Sequence, residues 1–335
     1  MSAAAPTDCP DVSVIIPTRD RRGRLAIALR SALAQRDVAF EILVVDDGSQ
    51  DGTTAMVEGL GEGRIRVLRN ETPLGESGAR NRGIAAARGA WVAFLDDDDL
   101  WAPDKLRLQL SAMSGAAREW AYAGEVTVDD DLRVVDGAPP PSPEAVLSSL
   151  VRHNSVPAGA SNVIVGASLL SRAGRFDPGL RRTADWDMWL RLARDGPPAC
   201  VPRPLVAIRT HPGNVSRDMQ SMFLELDIMA RRHKVPVDRA RHYRWAAWNA
   251  RLDGRRWQAL RCYAGAIAAG DVRSMGRAAV ALARRFPSPA RAPDDAWTDE
   301  ARGWIDPLAR RERSALDGAD RDEQGEERVL GSQFG

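Results

Sequence analysis

The sequence predicts an α/β fold: a Rossmann-like, mixed and mainly parallel sheet flanked by helices, continued by a C-terminal helical extension. Three observations carry this reading. Over about the first hundred residues, short apolar runs rich in β-branched side chains alternate with amphipathic helical stretches in the order β-α-β-α-β-α-β, a pattern that calls for parallel strands with helical crossovers. Acidic or turn-forming residues (Pro17-Thr18, Asp46-Asp47, Asp96 to Asp99) stand where these strands end, and open α/β sheets carry their ligands at that edge. From about residue 216 to 285 the pattern is helical throughout.

The elements follow in order. VSVIIP (12–17) is a short continuous apolar run ended by Pro17, as expected of a strand buried on both faces. In RGRLAIALRSALAQ (22–35), Leu25, Ala28, Leu29, Ala32 and Leu33 form one stripe with Arg24 and Arg30 off it, which predicts an amphipathic helix. EILVVDDGS (41–49) is a second strand running into an acidic Gly turn, QDGTTAMVEGL a short helix, and RIRVLRN (64–70) a third strand. SGARNRGIAAARG (77–89) reads as a helix closed by Gly89 in the C′ position, and AWVAFL (90–95) as a fourth strand leading into four aspartates. WAYAGEVTVDDDLRVVDG (120–137) suggests a strand pair around an Asp-rich turn, and a helix is expected near 143–152 after a proline-rich break. ADWDMWLRLARDG (184–196) has Met188, Trp189 and Leu192 at core spacing with Gly196 as its stop. The organisation expected is a domain over 11–215 in two parts (11–110 and 111–215), helices over 216–285, and a charged, poorly ordered tail over 286–335 with room for one short helix.

Composition narrows the function. A chain of 335 residues, 44% hydrophobic and 28% charged, buries a large core, and a formal net charge of +1 with arginines spread throughout leaves no footprint for nucleic acid. The three cysteines are odd in number, far apart and in no CxxC spacing, which points away from disulfide and zinc frameworks and toward a reducing, cytoplasmic setting. The N-terminus lacks a basic stretch followed by an apolar one, and no apolar run is long enough to span a bilayer, so neither a signal peptide nor a membrane span is expected.

The cluster WVAFLDDDDLW (91–101) is the strongest chemical signal. One acid there would need no explanation, and Asp99 is a candidate cap for a helix starting near Pro103. Four adjacent carboxylates repel one another, and a divalent cation shared with a substrate's phosphates is the usual remedy. The P-loop signature G-x-x-x-x-G-K-[ST] is absent, and VSVIIPTRDRRG stands where a dinucleotide-binding G-x-G-x-x-G would be, which argues against ATPases and dehydrogenases.

VSVIIPTRDR, EILVVDDGSQDGT, GARNRGIAAARG and WVAFLDDDDLWAPDKL, in that order, resemble the nucleotide-sugar-binding half of the family 2 glycosyltransferases, inverting enzymes of GT-A fold; the resemblance runs from about residue 11 to 216. It implies that Asp46 contacts the base, that Arg80 contacts the nucleotide, and that the D-x-D of Asp96 and Asp98, with Asp97 between them, binds ribose and metal. Pro17, Thr18 and Asn70 would line the same pocket. FDPGLRRTADWDMWLRLA resembles the segment that supplies the general base. Ala184 replaces the usual Glu there, which leaves Asp185 as the matching base and Asp187 as a neighbour; a helix-capping role for Asp185 is the alternative. Trp186 and Trp189 read as core or acceptor-wall residues, and RTHPGNVS (209–216) resembles the family's R-x-H segment, with His211 a third metal or phosphate contact.

The function so implied is a metal-dependent (Mn²⁺ or Mg²⁺) inverting transfer of sugar from a nucleotide-sugar, a UDP-sugar by preference, to a hydroxyl of a glycan, lipid, peptide or small natural product. A sugar-phosphate nucleotidyltransferase would carry a Gly-rich basic phosphate loop after the first strand, of which PTRDRRG is a poor version. A non-catalytic sugar-binding protein would fail at both hydrolysis and transfer. Arg244, Trp245, Trp248, Arg255, Arg256 and Trp257 in the helical extension permit dimerisation, cover of the acceptor site or peripheral membrane contact.

Overall fold

The computed structural model of the chain describes residues 10–210, 219–252, 254–283 and 295–312. Nine strands form one sheet: β1 (Val12–Thr18), β2 (Phe40–Asp46), β3 (Ile65–Arg69), β4 (Trp91–Phe94), β5 (Leu100–Trp101), β6 (Trp120–Val128), β7 (Val134–Ala138), β8 (Ile164–Gly166) and β9 (Ala199–Arg209). The helices are α1 (Arg22–Leu33), α2 (Thr53–Glu58), α3 (Gly75–Ala86), α4 (Lys105–Ala116), α5 (Pro143–Leu150), α6 (Gly159–Asn162), α7 (Ala167–Ala173), α8 (Ala184–Asp195), α9 (Met219–His233), α10 (Arg239–Leu252), α11 (Arg256–Ala268), α12 (Ser274–Ala283) and α13 over 296–312.

The strand order is β3-β2-β1-β4-β8-β6-β9-β5, with β7 pairing the outer half of β6. The first four strands are parallel, in register from Val12↔Phe40 to Thr18↔Asp46 and from Val12↔Trp91 to Ile15↔Phe94. β8 runs antiparallel to both its neighbours, so the sheet is mixed. The chain steps from β1 outward to β2 and β3, then returns across β1 to β4. The crevice where the order reverses therefore lies between β1 and β4, beside the aspartates that follow β4.

Strand alternation builds the core. Ile15, Leu43, Val45 and Phe94 face the layer that holds Trp186, Met188 and Trp189 of α8, while Val14, Ile16, Ile42 and Val44 face Leu25, Ala28 and Leu29 of α1. β1 and β2 are buried along their whole length, which explains the lack of polar alternation in their sequences.

Three expectations change. Pro17 does not end β1: it pairs in register with Val45, and because the pairing with β4 stops at Ile15↔Phe94, its missing N–H costs no ladder bond on that side. Gly89 is not a left-handed helix cap, since α3 ends at Ala86 and the chain leaves through an extended Ala87; a Cβ on Gly89 would come within 2.7 Å of the Ser13 backbone nitrogen, so the glycine admits the close passage of the chain over β1. The tail is ordered in part. Residues 296–312 form α13, whose Ala301, Ile305 and Ala309 are buried with Trp297 and Trp304 against Val126, Val128, Val134 and Ala207 of the outer sheet. The indole N–H groups donate to the carbonyls of Glu125 (3.2 Å) and Pro204 (3.0 Å). A low density of apolar residues hid this helix, because its few apolar side chains are spaced onto one face.

Truncation after residue 294 removes α13 and uncovers that face. The expected loss is on the order of 5 kcal/mol, from one fully buried Ile and two partly buried Trp side chains, read as a lowered denaturation midpoint in urea. An unchanged midpoint would show that α13 contributes no net stability.

Candidate functional site

The carboxyl ends of β1, β2 and β4 open onto a cavity of about 1240 Å³. Its floor is the aspartate run, held by three separate devices. Arg21, in the loop after β1, donates through Nη1 to Asp97 (2.8 Å) and to Asp98 (2.9 Å), and Thr18 Oγ1 donates to Asp97 (2.8 Å). Arg80 of α3, 4% exposed, donates to Asp96 at 2.6 Å and pairs with Glu76 one helical turn before it. Ser161 of α6 accepts from the Asp96 amide (3.0 Å) and donates to Asp99 (2.5 Å), and the amide of Arg209 in β9 reaches the other Asp99 oxygen (3.2 Å).

Asp99 is thus buried and tied to α6 and β9, not a cap on α4. Burial pushes the Asp97 carboxyl up to about 7 against the pull of Arg21, with Asp98 adding to the rise. Burial also raises Asp99 well above the ordinary carboxylate range, and its acidic neighbours act in the same direction. On Arg80 burial works against the charge, yet Glu76 and Asp96 raise its pKa further, so the guanidinium stays charged. Its Nε has no partner among the described residues, which leaves a donor for a ligand on this side of the cavity.

A divalent ion would fit this edge in one way. Among the described residues no three His, Cys, Asp or Glu side chains converge to cage a metal. Asp96 and Asp98, with 32% and 13% of their side chains exposed, offer hard oxygen donors at the cavity surface, and a Mg²⁺- or Mn²⁺-sized ion there would take its remaining ligands from water and a substrate's phosphates.

Asp185, in the first turn of α8, lines the same cavity. Its Oδ2 accepts from Asn154 Nδ2 at 2.8 Å, and Oδ1 accepts from the Trp186 amide at 2.7 Å. Thr183 occupies the N-cap position without a side-chain cap bond, and the Asp185 carboxylate satisfies the first-turn amide of Trp186 while also lining the cavity. Burial raises its pKa above the usual value, partly offset by the Trp186 amide and by Arg80, while Asp96 adds to the rise. Asp187, two residues on, points elsewhere: it is buried and bonded to Arg191 (2.8 Å), Arg232 (3.0 Å) and His233 (2.8 Å), fixing α8 against α9. Against the cost of burial, these partners hold its carboxylate below the ordinary range.

Of the residues singled out from sequence, Pro17, Thr18, Arg80, Asp96, Asp97, Asp98 and Asp185 line one cavity. Asp46 does not. It is fully buried and saturated by the Ser49 amide (2.7 Å), Thr54 and Arg69 (2.9 Å), so it braces the turn after β2, and the neighbouring Asp47 is the one that reaches the cavity. Asn70 likewise sits behind the surface, donating to Asp47 at 2.6 Å and accepting from Arg82. Neither lines the cavity, because their polar atoms are turned to the loops behind it. His211 lies outside the described residues. Sequence reasoning missed Arg21, Ser161, Asn154 and Glu125, a cavity carboxyl pushed up to about 7 by burial. For Arg21 a signal existed in the basic PTRDRRG loop.

A sequence profile described as glycosyl transferase family 2 matches residues 13–131. The chain is 32% identical over 195 residues to the putative teichuronic acid biosynthesis glycosyltransferase TuaG of Bacillus subtilis, a match covering 56% of this chain and 73% of that protein. It is 29% identical over 184 residues to WfgD of Escherichia coli, named as a UDP-Glc:alpha-D-GlcNAc-diphosphoundecaprenol beta-1,3-glucosyltransferase, covering 55% of this chain and 70% of that one. The match to the succinoglycan biosynthesis protein ExoO of Rhizobium meliloti, 38% identical over 138 residues, spans 41% of this chain and 38% of that protein. Among solved structures, S. aureus TarS 1–349 in complex with UDP-GlcNAc shares the fold at a TM-score of 0.54 and 16% identity, with 92% of each chain covered.

The Asp187 cluster predicts a stability defect without a binding defect. Asp187→Asn leaves Arg191 without its carboxylate and Arg232 with Asp177 alone, and is expected to cost about 3 kcal/mol in chemical denaturation, with affinity for nucleotide unchanged. Because its folded pKa is depressed, this contribution is present above the unfolded value near 4 and fades as pH falls through the folded one, so wild type and variant should converge in strong acid.

Proposed function

The chain belongs to glycosyl transferase family 2, and from that premise we propose that it is a metal-dependent, inverting enzyme that moves a sugar from a UDP-sugar to an acceptor hydroxyl by single displacement. The observation that carries this reading is the meeting, within one cavity, of Arg80 with Asp96 to Asp98 and an enclosed carboxylate with a raised pKa on α8, Asp185. The names of relatives support the donor and acceptor classes: WfgD is named for UDP-Glc and a diphosphoundecaprenol-linked acceptor, and TarS is solved with UDP-GlcNAc.

The residues divide the work. Arg80, kept charged by Glu76 and Asp96, faces the donor's diphosphate and holds the negative charge that builds up as the sugar leaves. A Mg²⁺ or Mn²⁺ ion held by Asp96 and Asp98 would supply further neutralisation of that diphosphate. Thr18 and Arg21 keep Asp97 and Asp98 in place, so the acidic edge does not collapse or splay when the donor is absent. Asp185 takes the proton of the acceptor hydroxyl as its oxygen attacks the anomeric carbon; Asn154 orients the carboxylate and leaves it basic enough to act. One attack from the face opposite the leaving group inverts the anomeric centre. The hydroxyl is a weak acid, so a base with a raised pKa is better matched to it than an ordinary carboxylate.

Asp185→Asn keeps the shape and one of the two hydrogen bonds accepted by the carboxylate, from Asn154 or from the Trp186 amide, but removes basicity. Transfer is expected to fall by roughly 10² or more while UDP affinity and melting temperature hold. Equal transfer rates would remove Asp185 from the chemistry. In wild type the rate should rise with pH through the raised pKa of Asp185, so its acid limb lies above the ordinary carboxylate range.

The metal has a separate test: UDP should bind more tightly with Mn²⁺ or Mg²⁺, and Asp98→Ala should abolish that gain. Calorimetry giving the same UDP affinity in EDTA would remove the metal from the reading.

A further inference from the structure

We infer that the cavity wall beyond Asp185, formed by His153, Arg181, Arg241 and His242, is a binding site for a phosphate or diphosphate group carried by the acceptor. This deepens the glycosyltransferase reading and rests on it. Arg241 and His242 come from α10, which supplies nothing to the aspartate edge, whereas Arg181 follows Leu180, whose carbonyl accepts from Ser77 of α3. His153 precedes Asn154, whose amide bonds Asp185, and His242 of α10 packs its ring on Trp186, the residue after Asp185, at 5.8 Å. The proposed base is therefore close enough to Arg80 and Asp96 to feel their charges, and the residue after it carries the His242 ring.

The wall is short of acceptors. The Arg181 and Arg241 side chains line the cavity, and among the described residues neither has a carboxylate within ion-pair distance. Nδ1 of His153 and Nε2 of His242 are buried with no hydrogen-bond partner there, a state that costs free energy until an oxygen ligand arrives. Burial lowers both imidazoles, His242 to about 4, and each also feels the other charged groups around it: Arg241 lowers both and Asp238 raises both. The two rings are thus neutral near pH 7, and in the tautomers that place the proton on His153 Nδ1 and His242 Nε2 each has an N–H to give to a phosphate oxygen. Nearby acids do not compete for the role. Asp238 accepts from the Arg241 backbone amide (2.8 Å), and Glu225 is spent on the amides of Arg181, Arg182 and Thr183. Arg241 and two partnerless imidazole nitrogens near the base, with Arg181 lining the same cavity, match the charge and the oxygens of a phosphate ester better than those of a neutral sugar. Trp245, 41% exposed, belongs to the same cavity one turn beyond Arg241 and gives an apolar surface for a chain attached to that phosphate.

Calorimetry on the full chain with Mg²⁺ and saturating UDP, titrated with inorganic pyrophosphate, tests this. Saturating UDP fills the donor side, so pyrophosphate is expected to bind alongside it, and the Arg181→Gln/Arg241→Gln variant should weaken that second event about tenfold or more with UDP affinity and melting temperature held. Each single variant should show part of the loss, which guards against a misfolded double variant. A short prenyl diphosphate in micelles distinguishes the sources: tighter binding than pyrophosphate marks a lipid-linked acceptor, and equal binding marks a soluble phosphosugar. Pyrophosphate that only displaces UDP, or binds wild type and variant alike, would overturn the inference while leaving the glycosyltransferase reading intact. Failure of UDP itself to bind would remove both.

Discussion

The site is organised around the electrostatic problem of four consecutive carboxylates at the end of a buried strand. The protein solves it by distributing the charges among different elements. Arg21 from the β1 loop takes Asp97 and Asp98, Arg80 from α3 takes Asp96, and Ser161 with the Arg209 amide takes Asp99. Each contact joins a segment remote in sequence to the end of β4, so the charge pattern that would otherwise destabilise the turn instead locks three layers of the fold together. Asp97 and Asp99 are nevertheless left with raised affinity for protons, because burial outweighs the partners that favour their charged forms.

The α8 side of the cavity is built differently. α8 is anchored through its second aspartate, since Asp187 engages Arg191, Arg232 and His233 and so ties the helix to α9. With the helix held there, Asp185 one position before Trp186 is turned into the cavity, and Asn154 meets it from the loop after α5. Two acids two residues apart on a helix point about 200° apart around its axis, which is why one is structural and the other faces the ligand. α10 closes the same side with Arg241, His242 and Trp245, so the helical extension is part of the cavity and not an independent appendage. Among the described residues no helix is long and apolar enough to cross a membrane.

Much of the donor edge was legible in the sequence because it is local. A β-branched run followed by acids places those acids at a strand's carboxyl end whatever the rest of the chain does, and Pro17, Thr18, Arg80, Asp96, Asp97 and Asp98 come together for that reason. Which member of an acidic pair faces the ligand is less legible. Asp46 and Asp47 differ only in their side of the strand, and the turn after β2 draws the first inward to Ser49, Thr54 and Arg69. Arg21 was visible as a basic loop residue, but its role depends on the distance between the β1 and β4 ends.

Local periodicity and composition determined the parallel α/β order, the strand-end position of the acidic run and the helical character beyond residue 216, because those properties follow from a few neighbouring residues. Tertiary structure decided what no window of sequence contains: that α13 docks on β6, β7 and β9, that Asp187 is an anchor and Asp185 a cavity residue, and that His153 and His242, nearly ninety residues apart, meet beside it. Those outcomes depend on which faces remain uncovered once the sheet has formed, and a side chain's surroundings are fixed only when the chain has closed on itself.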